Sequence, residues 1–104
     1  MPFKKFTADE TWNTGLVGQC ETGYRCLKYS GSLGGGTLSV HSLSLDVDPE
    51  TTQPIETPLA DAEISAATVD DNGDAVKQVT FQTSGTIVVK LTGSTAPAAK
   101  VMVE

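Results

Sequence analysis

Two glycine-marked loops constrain this chain more than any other feature of its sequence. The first, Ser30-Gly31-Ser32-Leu33-Gly34-Gly35-Gly36-Thr37, separates the strand-like run Tyr24-Arg25-Cys26-Leu27-Lys28-Tyr29 from Leu38-Ser39-Val40. The second, Thr92-Gly93-Ser94-Thr95-Ala96-Pro97, separates Ile87-Val88-Val89-Lys90-Leu91 from Val101-Met102-Val103. Glycine supplies the backbone angles of tight turns and keeps side chains out of crowded corners. The two loops together predict a pair of hairpins in a small antiparallel β protein.

The remaining periodicity agrees. Residues 3–6 read as an N-terminal arm or first strand, and 7–23 as a loop with a weak strand anchored by Trp12, Leu16 and Val17. In residues 37–47, Leu38 and Val40 share one phase and Leu43, Leu45 and Val47 the other. That flip predicts a β-bulge, bend or strand switch at His41-Ser42. Pro49, Pro54 and Pro58 mark 48–61 as a surface loop with at most an edge strand near Ile55. Residues 62–69 read as a strand, and Asp71-Asn72-Gly73-Asp74 and Ser84-Gly85 as turns around a strand at 76–82. No stretch of useful length carries a 3.6-residue period.

The expectation is an all-β chain. It is a single antiparallel β-sandwich, jelly-roll-like or immunoglobulin-like, of about seven or eight short strands, spanning residues 1–104 as one domain. Its core should hold Leu27, Leu38, Leu43, Leu45, Val79, Phe81, Ile87, Val89, Leu91 and Val101.

Charge narrows the function classes. The 104 residues carry 13 acidic and 7 basic side chains, a net charge of −6. The basic residues form no run beyond Lys4-Lys5, so no nucleic-acid partner is expected, because phosphate binding needs clustered cations. No segment approaches the ~20 apolar residues of a membrane span. Lys4-Lys5 is followed by no apolar run of the kind a secretory signal needs, so cytosolic synthesis is expected. Cys20 and Cys26 are then read as reduced thiols.

The chemistry-bearing motifs favour bland readings. Gly34-Gly35-Gly36-Thr37 lacks the Gly-Lys-Ser/Thr ending and following helix of a phosphate loop. After Asp70-Asp71-Asn72-Gly73-Asp74, no acidic residue occurs before Glu104, so the glutamate of a calcium loop is missing. Two cysteines and the single histidine, His41, fall short of a closed zinc site. Ser30, Ser32 and Ser42 lack a nucleophile elbow. No enzyme activity, cofactor or metal is expected. Trp12 and Tyr24 offer the alternative of a sugar-stacking platform, that is, a carbohydrate-binding β-sandwich.

The pattern also resembles small virion-associated β proteins of tailed bacteriophages. In these a tyrosine-containing strand precedes Ser-Gly-x-x-Gly-Gly-Gly-Thr-Val and a second strand; a Ser-Gly-x-Thr-x-Pro turn precedes the last strand. Tyr24 to Val40 match the first half, and Gly85 to Pro97 with Val101 to Val103 the second. The loop at 48–61 is longer and richer in proline than that pattern, and Cys20 and Cys26 are not part of it. The resemblance implies a structural virion protein assembled in the host cytoplasm. It would be a capsid decoration or cement protein that binds the major capsid protein or other virion proteins, or alternatively a tail or tail-fibre module. A homo-oligomer, trimer or dimer, is among the expectations. The candidate contact residues are Phe3, Lys4, Lys5 and Phe6 of the arm, with Trp12 and Leu33; the loops at 33–36 and 49–58 are candidates too. The arm is chosen because Phe3 and Phe6 flank two lysines where a partner would bury them.

Overall fold

The computed structural model describes residues 3–17, 24–65, 68, 71–73 and 76–104. Eight strands occur among them: β1 (Phe3–Phe6), β2 (Glu10–Val17), β3 (Arg25–Ser32), β4 (Thr37–Val47), β5 (Pro54–Ser65), β6 (Gln78–Phe81), β7 (Thr86–Thr92) and β8 (Ala98–Val103). They form two four-stranded antiparallel sheets, ordered β1-β8-β3-β6 and β2-β7-β4-β5. The chain is therefore the all-β sandwich that its alternation predicts.

The strand order has a simple origin. The chain pairs its two halves end to end, β1 with β8, β2 with β7, β3 with β6 and β4 with β5, as one long folded ribbon would. Rolling that ribbon brings β3 beside β8 and β4 beside β7. The result is a jelly roll, the double Greek-key arrangement of eight strands.

Alternation places the core. Leu27 and Tyr29 of β3, Leu38 and Val40 of β4, Ile87, Val89 and Leu91 of β7, and Val101 and Val103 of β8 are all buried between the sheets. Phe6, Leu33, Ile64 and Phe81 complete it, and Trp12, Leu16 and Val79 pack against its margin. Burying each large aliphatic side chain contributes roughly 1.5–3 kcal/mol.

Several local expectations are corrected. The glycine loops are not hairpins: 33–36 and 93–97 each carry the chain from one sheet to the other. The two loops instead touch one another. The Thr95 amide donates to the Gly34 carbonyl at 2.9 Å. A Cβ on Gly34, whose φ is +62°, would lie 2.4 Å from the Thr95 carbonyl oxygen. Glycine is required there by close approach as much as by turn geometry.

The face switch at His41-Ser42 is absent. Strand β4 runs unbroken against β7 from Thr37↔Thr92 to Leu43↔Thr86. Ser42 continues the inward phase of Leu38 and Val40 and is buried. The irregularities face β5 instead. Residues 59–62 of β5 stand opposite Val40, and residues 44–46 of β4 stand opposite Ile55. Leu43 and Leu45 consequently leave the predicted core: Leu43 is half-buried on the outer face, and Leu45 is 72% exposed.

The segment 54–61, expected as a surface loop with at most an edge strand near Ile55, belongs wholly to the long edge strand β5. Its prolines are tolerated because β5 is an edge of its sheet, where a missing amide hydrogen removes no ladder bond on the open side. Residues 10–17 likewise form a full strand, paired with β7.

Candidate functional site

Three crossovers gather at one end of the sandwich: 7–9, 33–36 and 93–97. Asp9 holds two of them together. Its carboxylate accepts from the Gly93 amide at 3.1 Å, the Ser94 amide at 3.0 Å and the Ser94 hydroxyl. The Ser94 hydroxyl and then the Ser94 amide hold the Asp9 carboxyl below its ordinary value; desolvation opposes them more weakly, and the Gly93 amide adds the least. This end is fastened internally.

The candidate contact residues fare unequally. Phe6 is fully buried in its own domain, edge-on to Trp12 with ring centroids 6.4 Å apart. No partner is needed to cover it, which removes the reason for treating 3–6 as a free arm; these residues are strand β1. Leu33 is 2% exposed and belongs to the core. Trp12 packs against the core margin. Lys4 pairs with Glu10 at 2.9 Å. Only Phe3 and Lys5 remain exposed on the outer face.

Trp12 and Tyr24 do not share a platform. Trp12 contacts Phe6, which sits in the row Phe6–Ala99–Gly31 across β1, β8 and β3. Tyr24 lies seven residues before Gly31 along the β3 direction, roughly 23 Å away at ~3.3 Å per residue.

The outer face of the β2-β7-β4-β5 sheet carries the most chemically suggestive cluster. Ser39 Oγ lies 3.0 Å from His41 Nε2, and His41 Nδ1 lies 3.7 Å from Glu56 Oε2. Glu56 is held by Lys90. The second contact is too long for the hydrogen bond that orients a catalytic base, and the carboxylate is committed to the lysine. The four side chains come from neighbouring positions of β4, β5 and β7 and read as a cross-strand polar ladder.

Among the described residues no three His, Cys, Asp or Glu side chains group to hold a metal. Cys26 is a free, half-buried thiol, and Cys20 lies outside the described residues, as do Asp70 and Asp74. No helix among the described residues is long and apolar enough to cross a membrane.

Two surfaces stand out instead. The first is the far end of the β4–β5 hairpin. Beyond Leu43↔Thr86, residues 44–47 have β5 as their only strand neighbour among the described residues, so the hairpin extends past β7 as an arm. Three of the five large exposed apolar side chains among the described residues sit on it: Leu45, and Val47 and Ile55 at 53% each. Asp46, Asp48 and Glu50 share the arm and form no ion pair among the described residues.

The second is the outer face of the β1-β8-β3-β6 sheet. The register sets Phe3, Met102 and Lys28 in one row and Lys5, Lys100 and Ser30 in the next. A shallow groove of about 330 Å³ runs between Phe3, Lys28, Tyr29, Ser30, Lys100 and Met102. Lys28 pairs with Glu104 at 3.3 Å. Lys5 and Lys100, directly opposite one another, have no carboxylate partner among the described residues. Like charges directly opposite one another are destabilising.

Sequence reading missed the arm because Leu45 and Val47 alternate as a buried strand would. The available signal was charge: no lysine or arginine occurs between Lys28 and Lys77. No protein-family model, curated protein or solved structure matches the chain.

Proposed function

We propose that this chain is a non-enzymatic structural protein of a tailed-bacteriophage particle, a decoration or cement protein that binds the major capsid protein. The observation that carries the reading is the β4–β5 arm, which exposes Leu45, Val47 and Ile55 beyond the β4–β7 pairing. Exposed apolar side chains grouped on a projecting hairpin favour protein contact over small-molecule binding. The resemblance of the two glycine loops and their flanking strands to virion-associated β proteins supports a phage particle as the setting in which that contact is made.

The mechanism is linkage. A protein that binds the assembled shell more tightly than its dissociated subunits stabilises the shell by the free energy of that preference. No covalent chemistry is required of it. A jelly roll suits the task, since its two sheets leave broad outer faces and its loops can vary without disturbing the core.

The test is copy number on purified particles, measured by quantitative mass spectrometry. On the order of hundreds of copies, following the symmetry of the shell, is the expected result. A handful of copies in multiples of the tail symmetry would instead make the chain a tail or tail-fibre module. Absence from the particle would overturn the virion reading.

A further inference from the structure

We propose that the acidic arm of one copy docks on the lysine-bearing groove of a second copy, so that the chain builds a head-to-tail homo-oligomer. The inference rests on the reading above only in taking the arm as a protein-contact element; it does not depend on where the protein acts.

The two surfaces are complementary in both charge and polarity. The arm presents Leu45, Val47 and Ile55 beside the carboxylates of Asp46, Asp48 and Glu50, none of them ion-paired among the described residues; Asp48 Oδ1 accepts from the Glu50 amide, at 2.9 Å. The groove offers Phe3 and Met102 as an apolar floor, flanked by Lys28 and Lys100, with Lys5 beside Lys100. The lysine stems add apolar surface while their ammonium groups remain at the rim.

Each surface is only partly compensated within its own copy: Lys28 pairs with Glu104, and Asp48 accepts from the Glu50 amide. The chain carries nearly two acidic residues for every basic one, yet Lys5 and Lys100 face each other across β1 and β8 with no carboxylate described beside either. The arm has the opposite imbalance, with no basic residue anywhere from 44 to 58.

The surfaces cannot meet inside one molecule. The arm extends from the β2-β7-β4-β5 sheet, whereas the groove lies on the outward face of the opposite sheet. A second copy is therefore the occupant whose matching surface the chain itself supplies. Because arm and groove are different patches, the contact is heterologous and repeats around a ring, or along a filament if the rotation does not close. Charge complementarity also fixes its register and overcomes the self-repulsion of a chain at −6.

The experiment is sedimentation velocity on the purified full-length chain, over a range of concentration and salt. The wild type should self-associate, and salt should weaken it because the lysine and carboxylate groups are solvent-exposed. Two charge-reversed variants follow: Asp46→Lys with Asp48→Lys on the arm, and Lys5→Glu with Lys100→Glu on the groove. Each alone should associate roughly tenfold or more weakly. An equimolar mixture should recover association, since a reversed arm fits a reversed groove and the unaltered surfaces fit each other. Circular dichroism must show both variants folded; if one fails, Asp46→Asn with Asp48→Asn, or Lys5→Gln with Lys100→Gln, replaces it with weakened association expected. A monomeric wild type at every concentration overturns the proposal and leaves the virion reading to the copy-number test. Oligomers indifferent to either reversal, or reversed variants whose mixture recovers nothing, also overturn it.

Discussion

The Ser42 hydroxyl donates to the Ser84 carbonyl at 2.9 Å, joining the middle of β4 to the β6–β7 turn. The same turn brings Gly85, at φ +112°, so close that an added Cβ would lie 2.4 Å from the Leu43 carbonyl oxygen and 2.6 Å from Ser42 Oγ. A serine at an inward strand position is thereby satisfied, and the turn is seated on the strand.

Ser42→Ala should accordingly destabilise by about 1 kcal/mol, the usual net worth of one hydrogen bond. The loss is moderated because Thr83 Oγ1 also donates to the Ser84 carbonyl, at 3.1 Å. Gly85→Ala should cost more, about 2 kcal/mol or above, since it combines a positive φ with a clash against backbone. Thermal denaturation of the two variants tests the order; an unchanged midpoint for Gly85→Ala would refute it.

The same contact explains where sequence reading stopped. Alternation in Ile87, Val89 and Leu91, and in Val101 and Val103, identified inward faces because those strands lie wholly within the sandwich. At Ser42 the polar residue points inward and Leu43 and Leu45 point elsewhere, so hydropathy alone reversed the phase. Phe6 and Leu33 were misread for a related reason: what buries them comes from distant segments brought together by sheet-to-sheet crossovers, which local pattern does not encode. The arm was legible as an acidic, lysine-free stretch, but its projection past β7 depends on the register of three strands.

Phe6 gives the second prediction. It is fully buried, so Phe6→Ala should cost about 3–5 kcal/mol. Phe3→Ala, at a side chain 47% exposed on the same short strand, should stay within ~0.5 kcal/mol. Chemical denaturation would separate them. Removing residues 1–6 should therefore unfold or loosen the domain; a fully stable truncated chain would contradict the packing of Phe6.

Asp9 yields a pH signature. Hydrogen bonds from Ser94 and Gly93 favour its ionised form in the folded chain, so its carboxyl titrates lower when folded than when unfolded. Its contribution is then complete above the ordinary aspartate range and is lost as pH falls through the lowered folded value. Asp9→Asn should melt below the wild type at neutral pH, and the gap should narrow on acidification. A gap constant from neutral to strongly acidic pH would show that the carboxylate charge is not what holds the crossovers.

The arm separates folding from attachment. Leu45→Ser with Ile55→Ser removes two side chains that are mostly exposed already, so the melting temperature of the monomer should hardly move. Particle occupancy should fall, because copies joined arm to groove bind a shell multivalently, and linked weak contacts gain roughly 10²–10⁴ in avidity over single ones. The same loss should appear for the groove variant Lys5→Glu with Lys100→Glu, although that substitution leaves the arm untouched. Titrating labelled protein onto stripped particles, with occupancy read against concentration, measures both. Reduced occupancy for the arm variant with normal occupancy for the groove variant would mean that the arm grips the shell directly rather than the neighbouring copy.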